Sequence, residues 1–112
     1  MRIYKIFRSG EWRAFREAGE TRGAAVDLSD GFIHFSTAAQ AAETVAKHFA
    51  GEDRLMLLAL DSDAFGDALK WEPSRGGQLF PHLYGVLRSG DVIWARPLPL
   101  GPDGHIFPAG MT

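Results

Sequence analysis

No cysteine occurs among the 112 residues. That absence excludes disulfides, thiolate nucleophiles and cysteine-ligated zinc, and it fits a reducing compartment. Charge of one sign is not concentrated anywhere: 12 Lys+Arg stand against 14 Asp+Glu, for a formal net charge of −2. Proteins that hold nucleic acid through its backbone carry a basic stripe, and none is present, so nucleic acid is not an expected partner. No apolar run approaches the roughly 20 residues of a membrane-spanning helix. The opening Met1-Arg2-Ile3-Tyr4-Lys5-Ile6-Phe7 is too short and too charged for a signal peptide, so a cytoplasmic location is expected. Gly-x-Ser-x-Gly, the P-loop and the dinucleotide fingerprint are all missing. There is no internal repeat, low-complexity segment or linker.

What remains is an ordinary globular composition, 46% hydrophobic and 23% charged, of a length that fits one domain over residues 1–112. Residues 2–8 alternate as a strand. Ser9 is placed to cap a helix carrying Glu11 in its first turn and Trp12, Phe15 and Ala18 on one face, with Gly19 as its stop. Residues 20–31 read as an irregular connection ending in an Asp30-Gly31 turn. Residues 32–36 form the next strand. Thr37 and Gln40 make a capping box for a second helix, whose apolar face holds Ala41, Ala42, Val45, Ala46 and Phe49, with Glu43 and Lys47 paired elsewhere. Leu55–Leu60 is an unbroken apolar run of the kind found in central strands. A short helical turn follows through Leu69, then strands at Trp71–Pro73, Leu83–Arg88 and Val92–Leu98, and a turn into an edge strand at the tail. Helices early and strands late predict an α+β fold.

Two histidines sit in unusual frames, Asp30-Gly31-Phe32-Ile33-His34-Phe35-Ser36-Thr37 and Phe80-Pro81-His82-Leu83-Tyr84-Gly85. Imidazole titrates nearest working pH, and each frame delivers one ring among apolar neighbours, a pattern that points to a site. Alternation puts Phe32, His34 and Ser36 on one strand face. The nearby helix start at Thr37 favours a neutral His34 that accepts a proton or a hydroxyl hydrogen bond. The competing expectation is a core histidine satisfied by a carbonyl. His82 and Tyr84 share a face and could supply an acid–base group and a donor, or a loop anchor and a core filler. Between these segments, Trp71-Glu72-Pro73-Ser74-Arg75-Gly76-Gly77 offers Arg75 to a phosphate or carboxylate and lets Gly76 and Gly77 turn backbone N–H groups inward. Glu72 is either an acid–base residue or the ion-pair partner of Arg75. His48 reads as solvated and His105 as a turn anchor bonded to a carbonyl. The four histidines lack ligand spacing, so no metal is proposed.

The three segments in this order resemble the bacterial domain-of-unknown-function family 952, with the likeness extending to Ile3-Tyr4-Lys5-Ile6, Trp12 and Asp103-Gly104-His105. That resemblance implies an ADP-ribosyltransferase-like fold, a split and strongly bent antiparallel sheet with flanking helices. Phe32-Ile33-His34-Phe35-Ser36 is also similar to the His-Ile-His-Leu segment of RNA 2′-phosphotransferases, which implies that His34 would contact NAD if NAD binds. In those enzymes the opening strand ends in His-Gly-Thr and holds the nicotinamide ribose; here it reads Tyr4-Lys5-Ile6-Phe7.

The expected function is an enzyme acting on a nucleotide or other phosphorylated small molecule, by ADP-ribosyl or phosphoryl transfer. His34, His82 and Tyr84 would carry the chemistry. Ser36, Thr37, Glu72, Arg75, Gly76 and Gly77 would bind the ligand. The alternatives are a non-catalytic module for a nucleotide-like ligand or peptide, and a structural domain in which both histidines are core anchors.

Overall fold

The computed structural model describes residues Met1–Thr112. The first strand, β1 (Arg2–Phe7), alternates between two faces, and both faces are covered. Its neighbour β4 (Leu55–Asp61) is central, flanked by β1 on one side and β8 (Val92–Leu98) on the other, all antiparallel. Leu57, Leu58, Ala59 and Leu60 are fully buried, as an unbroken apolar run requires when both faces of its sheet are covered. Ile3, Phe7, Leu58 and Leu60 pack with Phe15, Ile33, Phe35, Leu83 and Leu87. Tyr4, Ile6, Leu57 and Ala59 pack on the opposite face with Val45, Leu55 and Leu98.

A second three-stranded antiparallel sheet has the order β3 (Ile33–His34), β6 (Leu79–Leu83), β5 (Leu69–Pro73). Here His34 lies directly opposite His82 in the register. The two sheets meet at one place: Tyr4 and Ser36 exchange both backbone hydrogen bonds, at 2.8 and 2.9 Å. Beyond Tyr4 the chains part, and β1 runs on through Lys5, Ile6 and Phe7 with that edge open to a cleft. Two small ribbons complete the molecule, β2 (Glu20–Thr21) with β7 (Leu87–Arg88), and β9 (Leu100–Gly101) with β10 (Gly104–His105).

Three α-helices pack beside the sheets: α1 (Ser9–Ala18), α2 (Ala25–Asp30) and α3 (Ala38–His48). The α+β expectation therefore holds, with antiparallel sheets throughout. No helix is long and apolar enough to cross a membrane.

Several local expectations need correction. The N-cap of α1 is Arg8, not Ser9, and Glu11 reaches back to accept the Arg8 N–H at 2.8 Å. Residues 20–31 are not irregular; they hold β2 and α2. Asp27 supplies the missing cap of α2 by accepting the Ala24 N–H at 2.7 Å, and Gly31 ends the helix at φ 87°. The α3 capping box is as expected, with Thr37 Oγ1 accepting the Gln40 N–H and Gln40 Oε1 accepting the Thr37 N–H. On α3, Ala41 and Val45 are buried, whereas Ala42 and Ala46 face solvent. A strand over Leu83–Arg88 does not form: β6 ends at Leu83, the chain bends, and β7 starts at Leu87.

Candidate functional site

The cleft between the diverging sheets has a volume of about 400 Å³, within the range of small-molecule pockets. His34 and His82 both line it. Their ring centroids are 5.3 Å apart and nearly edge-to-face, at 68°. Phe32 stacks on His82 at 4.2 Å and also touches the His34 ring at 4.6 Å. Strand alternation brings Phe32, His34 and Ser36 to this side, while Ile33 and Phe35 go to the core.

Each histidine has a carboxylate on its Nδ1. For His82 the partner is Glu72, at 2.8 Å. The Tyr84 hydroxyl donates to the same oxygen, also at 2.8 Å. Hydrogen bonds from His82 and Tyr84 hold the Glu72 carboxyl below its ordinary value, and the bond to Glu72 raises the Tyr84 phenol. A carboxylate accepting from Nδ1 fixes that proton and leaves Nε2 of the neutral ring as an acceptor. His82 is buried to 5% exposure yet reaches the cleft.

His34 is set differently. Its Nδ1 is 2.6 Å from Asp27 Oδ1 and its Nε2 is 3.0 Å from Asp30 Oδ2. The first contact is a hydrogen bond; the second is close enough for charge attraction but lacks hydrogen-bond geometry. Two carboxylates of α2, Asp27 and Asp30, thus stand beside the His34 ring. Asp27 is fully buried. Burial opposes its charge, but bonds from His34, Lys5 and the Ala24 N–H, with the Lys5 charge, outweigh it and hold the carboxyl at about 2. Lys5 Nζ donates to Asp27 at 2.7 Å and to the His34 carbonyl at 3.0 Å. Burial lowers the Lys5 ammonium from its ordinary value, against the pull of Asp27. With two acceptors in reach, we assign the pair as ionised.

A corner built on Arg75 lies across the cleft. Arg75 Nη2 donates to Thr44 Oγ1 at 2.7 Å, and Thr44 shares a hydrogen bond with Ser36 Oγ at 2.8 Å. The Arg75 guanidinium lies over the Phe80 ring at 4.8 Å. Glu43 stands 3.4 Å from Nη1, close enough for charge attraction but without hydrogen-bond geometry, so Nη1 has no acceptor. His48 and Arg8 also line the cleft. Burial, then the charges of Arg75, His34 and Lys47, lower the His48 imidazole, which favours its neutral form.

The sequence-expected residues divide accordingly. His34, His82, Ser36 and Arg75 come together in the cleft. Glu72 stands behind His82 as its hydrogen-bond partner, and Tyr84 behind Glu72. Tyr84 is 42% exposed and fills no core. Thr37 is occupied as the α3 cap. Gly76 and Gly77, with φ 64° and 77°, turn the chain beside Arg75 without lining the cleft. Glu43, not Glu72, is the carboxylate beside Arg75. Lys5, Asp27, Asp30 and Thr44 were not anticipated, and His48 faces the cleft rather than only solvent. His105 does bond a carbonyl, that of Glu52 at 2.6 Å.

Residues 6–95 match the family described as protein of unknown function (DUF952). The chain belongs to that family. No curated protein matches it. Among solved structures it is similar to protein CC0527 from Caulobacter crescentus, a structural-genomics target. The X-ray structure of that protein is 48% identical, with 94% of this chain and 92% of that chain covered and a TM-score of 0.89. A crystal structure of its double mutant gives the same values. The solution NMR structure is 49% identical, covering 93% and 90% of the two chains, with a TM-score of 0.83. The matched region contains His34, His82, Glu72 and Arg75, so the cleft lies inside the family domain.

Proposed function

We propose that the cleft binds a nucleotide or another phosphorylated small molecule and that the two histidine–carboxylate pairs act on it as acid and base. The observation that carries this reading is the pair of rings, 5.3 Å apart, each tethered by a carboxylate at Nδ1 and both opening on one cleft with Arg75. Lys5 and Arg8 on that wall are paired with Asp27 and Glu52, but Arg75 keeps an Nη1 without an acceptor, which favours an anion. His82 is the base, His34 the acid, and Arg75 with Ser36 and Thr44 forms the anion-binding corner. Glu72, Asp27 and Tyr84 are positioning residues that orient the rings. The cysteine-free sequence suits a cytoplasmic setting, and residues 1–112 act as one domain.

The two antiparallel sheets joined at Tyr4 and Ser36 support an ADP-ribosyltransferase-like architecture. Fold likeness does not carry chemistry with it. For NAD, the residues fit poorly at the nicotinamide end. On β1 the Lys5 ammonium is committed to Asp27 and the His34 carbonyl, and the Tyr4 hydroxyl accepts the Thr112 N–H at 3.2 Å. No step is assigned to that cofactor.

One observation favours a non-catalytic binding module: Asp30 stands 3.0 Å from Nε2 of His34 and crowds it without a hydrogen bond. Isothermal calorimetry with adenosine monophosphate, ADP-ribose and inorganic phosphate tests the binding common to both readings. Wild type should bind at least one of these probes, and Arg75→Ala should weaken it by about tenfold or more, as loss of a charge-assisted hydrogen bond would. Equal affinity in wild type and Arg75→Ala would remove the anion-binding corner.

A further inference from the structure

We propose that the chemistry of this cleft takes place at phosphorus: the substrate is a phosphate diester of nucleotide size, and it is hydrolysed by water. The inference rests on the acid–base reading above and chooses between the two transfers that reading leaves open.

Charge decides between them. Glycosyl transfer passes through an oxocarbenium-like cation and uses carboxylates that face the sugar. Here Asp27 is fully buried behind His34, and Glu72 is turned to His82 and Tyr84. Asp30 is the carboxylate on the cleft wall, which it shares with Arg75 and His34 and with Lys5 and Arg8, the last two paired with Asp27 and Glu52. Such a surround opposes a developing cation and stabilises the negative charge that gathers on phosphoryl oxygens.

We assign the attack to water rather than to a hydroxyl of the wall, where Ser74 lies and where Thr44 is tied to Ser36 and Arg75. There is no cysteine. The Ser36 hydroxyl is tied to Thr44 and its residue is 3% exposed. His82 Nε2 takes a proton from the attacking water as its oxygen bonds to phosphorus. The bond from phosphorus to the leaving oxygen breaks, and His34 Nε2 gives that oxygen its proton. The products are a phosphate monoester and an alcohol, and the two rings regain their starting protons through solvent. Asp30 stands 3.0 Å from His34 Nε2 in the place of the leaving oxygen. Its side chain is 45% exposed, so the substrate displaces it toward solvent. A cyclic nucleoside phosphate presents such a diester within a body that suits a cleft of about 400 Å³.

The test incubates the intact protein with adenosine 2′,3′-cyclic phosphate and follows the phosphorus NMR signal, with calorimetry of the same ligand alongside. The expected result is conversion to a monoester, slowed about 100-fold or more in His82→Gln and in His34→Gln, with both variants still binding the ligand. Binding without conversion would overturn the diester inference and leave the ligand-binding reading standing. Absence of binding to this ligand, adenosine monophosphate, ADP-ribose and inorganic phosphate would overturn both. Conversion at the wild-type rate in either histidine variant would overturn the assigned roles.

Discussion

Asp27 is the residue on which the site turns, because one carboxylate caps α2, holds Lys5 and orients His34. Replacing it with Asn leaves the Lys5 ammonium buried without its counter-charge. Breaking a buried pair this way costs about 3 kcal/mol, so urea unfolding of Asp27→Asn should show a clearly lower midpoint with an unchanged slope. The same residue sets an acid dependence. Its folded value of about 2 lies below the ordinary 3.8, so it adds stability at pH above the ordinary value and loses it as pH falls through that value toward 2. The loss amounts to about 2 kcal/mol, readable as a falling urea midpoint that is flatter in Asp27→Asn. His34 and His82 were visible in the sequence because apolar frames single them out. Asp27 was not, although an acid three positions after Ala24 is half of a capping box and was a usable signal. Its partner Lys5 was hidden because a lysine inside an apolar strand gives no hint of where its ammonium goes.

At the scale of elements, Thr37 separates a structural role from a ligand-binding one. Its hydroxyl accepts the Gln40 N–H and its own N–H is taken by Gln40. Thr37→Ala should therefore cost about 1 kcal/mol in urea unfolding while leaving the affinity for adenosine monophosphate that calorimetry measures within twofold of wild type, roughly. A large loss of affinity at wild-type stability would return Thr37 to the site. The capping box, the Gly19 stop at φ 77° and the apolar run of β4 were legible because each is a local pattern with a local cause. The helix α2 was not: it has six residues, its N-cap is an alanine, and the carboxylate that compensates sits inside it. The end of β6 at Leu83 was also obscured, since Tyr84 and Val86 read as strand residues. Tyr84 nonetheless stays on the Glu72 side, where its hydroxyl finds the carboxylate.

Across the whole molecule, the cleft exists because two antiparallel sheets share one pair of hydrogen bonds and then separate. The order of helix-like and strand-like segments could give the α+β class; it could not give this junction, which depends on Tyr4 meeting Ser36 and on His34 pairing with His82 across the second sheet. The convergence of Arg75 with Thr44 is likewise a product of tertiary packing between α3 and the turn after β5. The central claim is that His34 and His82 are one site, each ring held at Nδ1 by its own carboxylate. Long-range proton–nitrogen NMR of the four imidazoles, recorded near neutral pH with and without adenosine monophosphate, tests it most directly. The account predicts both rings protonated at Nδ1, where the carboxylates hold them, and the signals of both moved by the nucleotide. A His82 protonated at Nε2 instead, or a nucleotide that shifts one ring and leaves the other untouched, would contradict it.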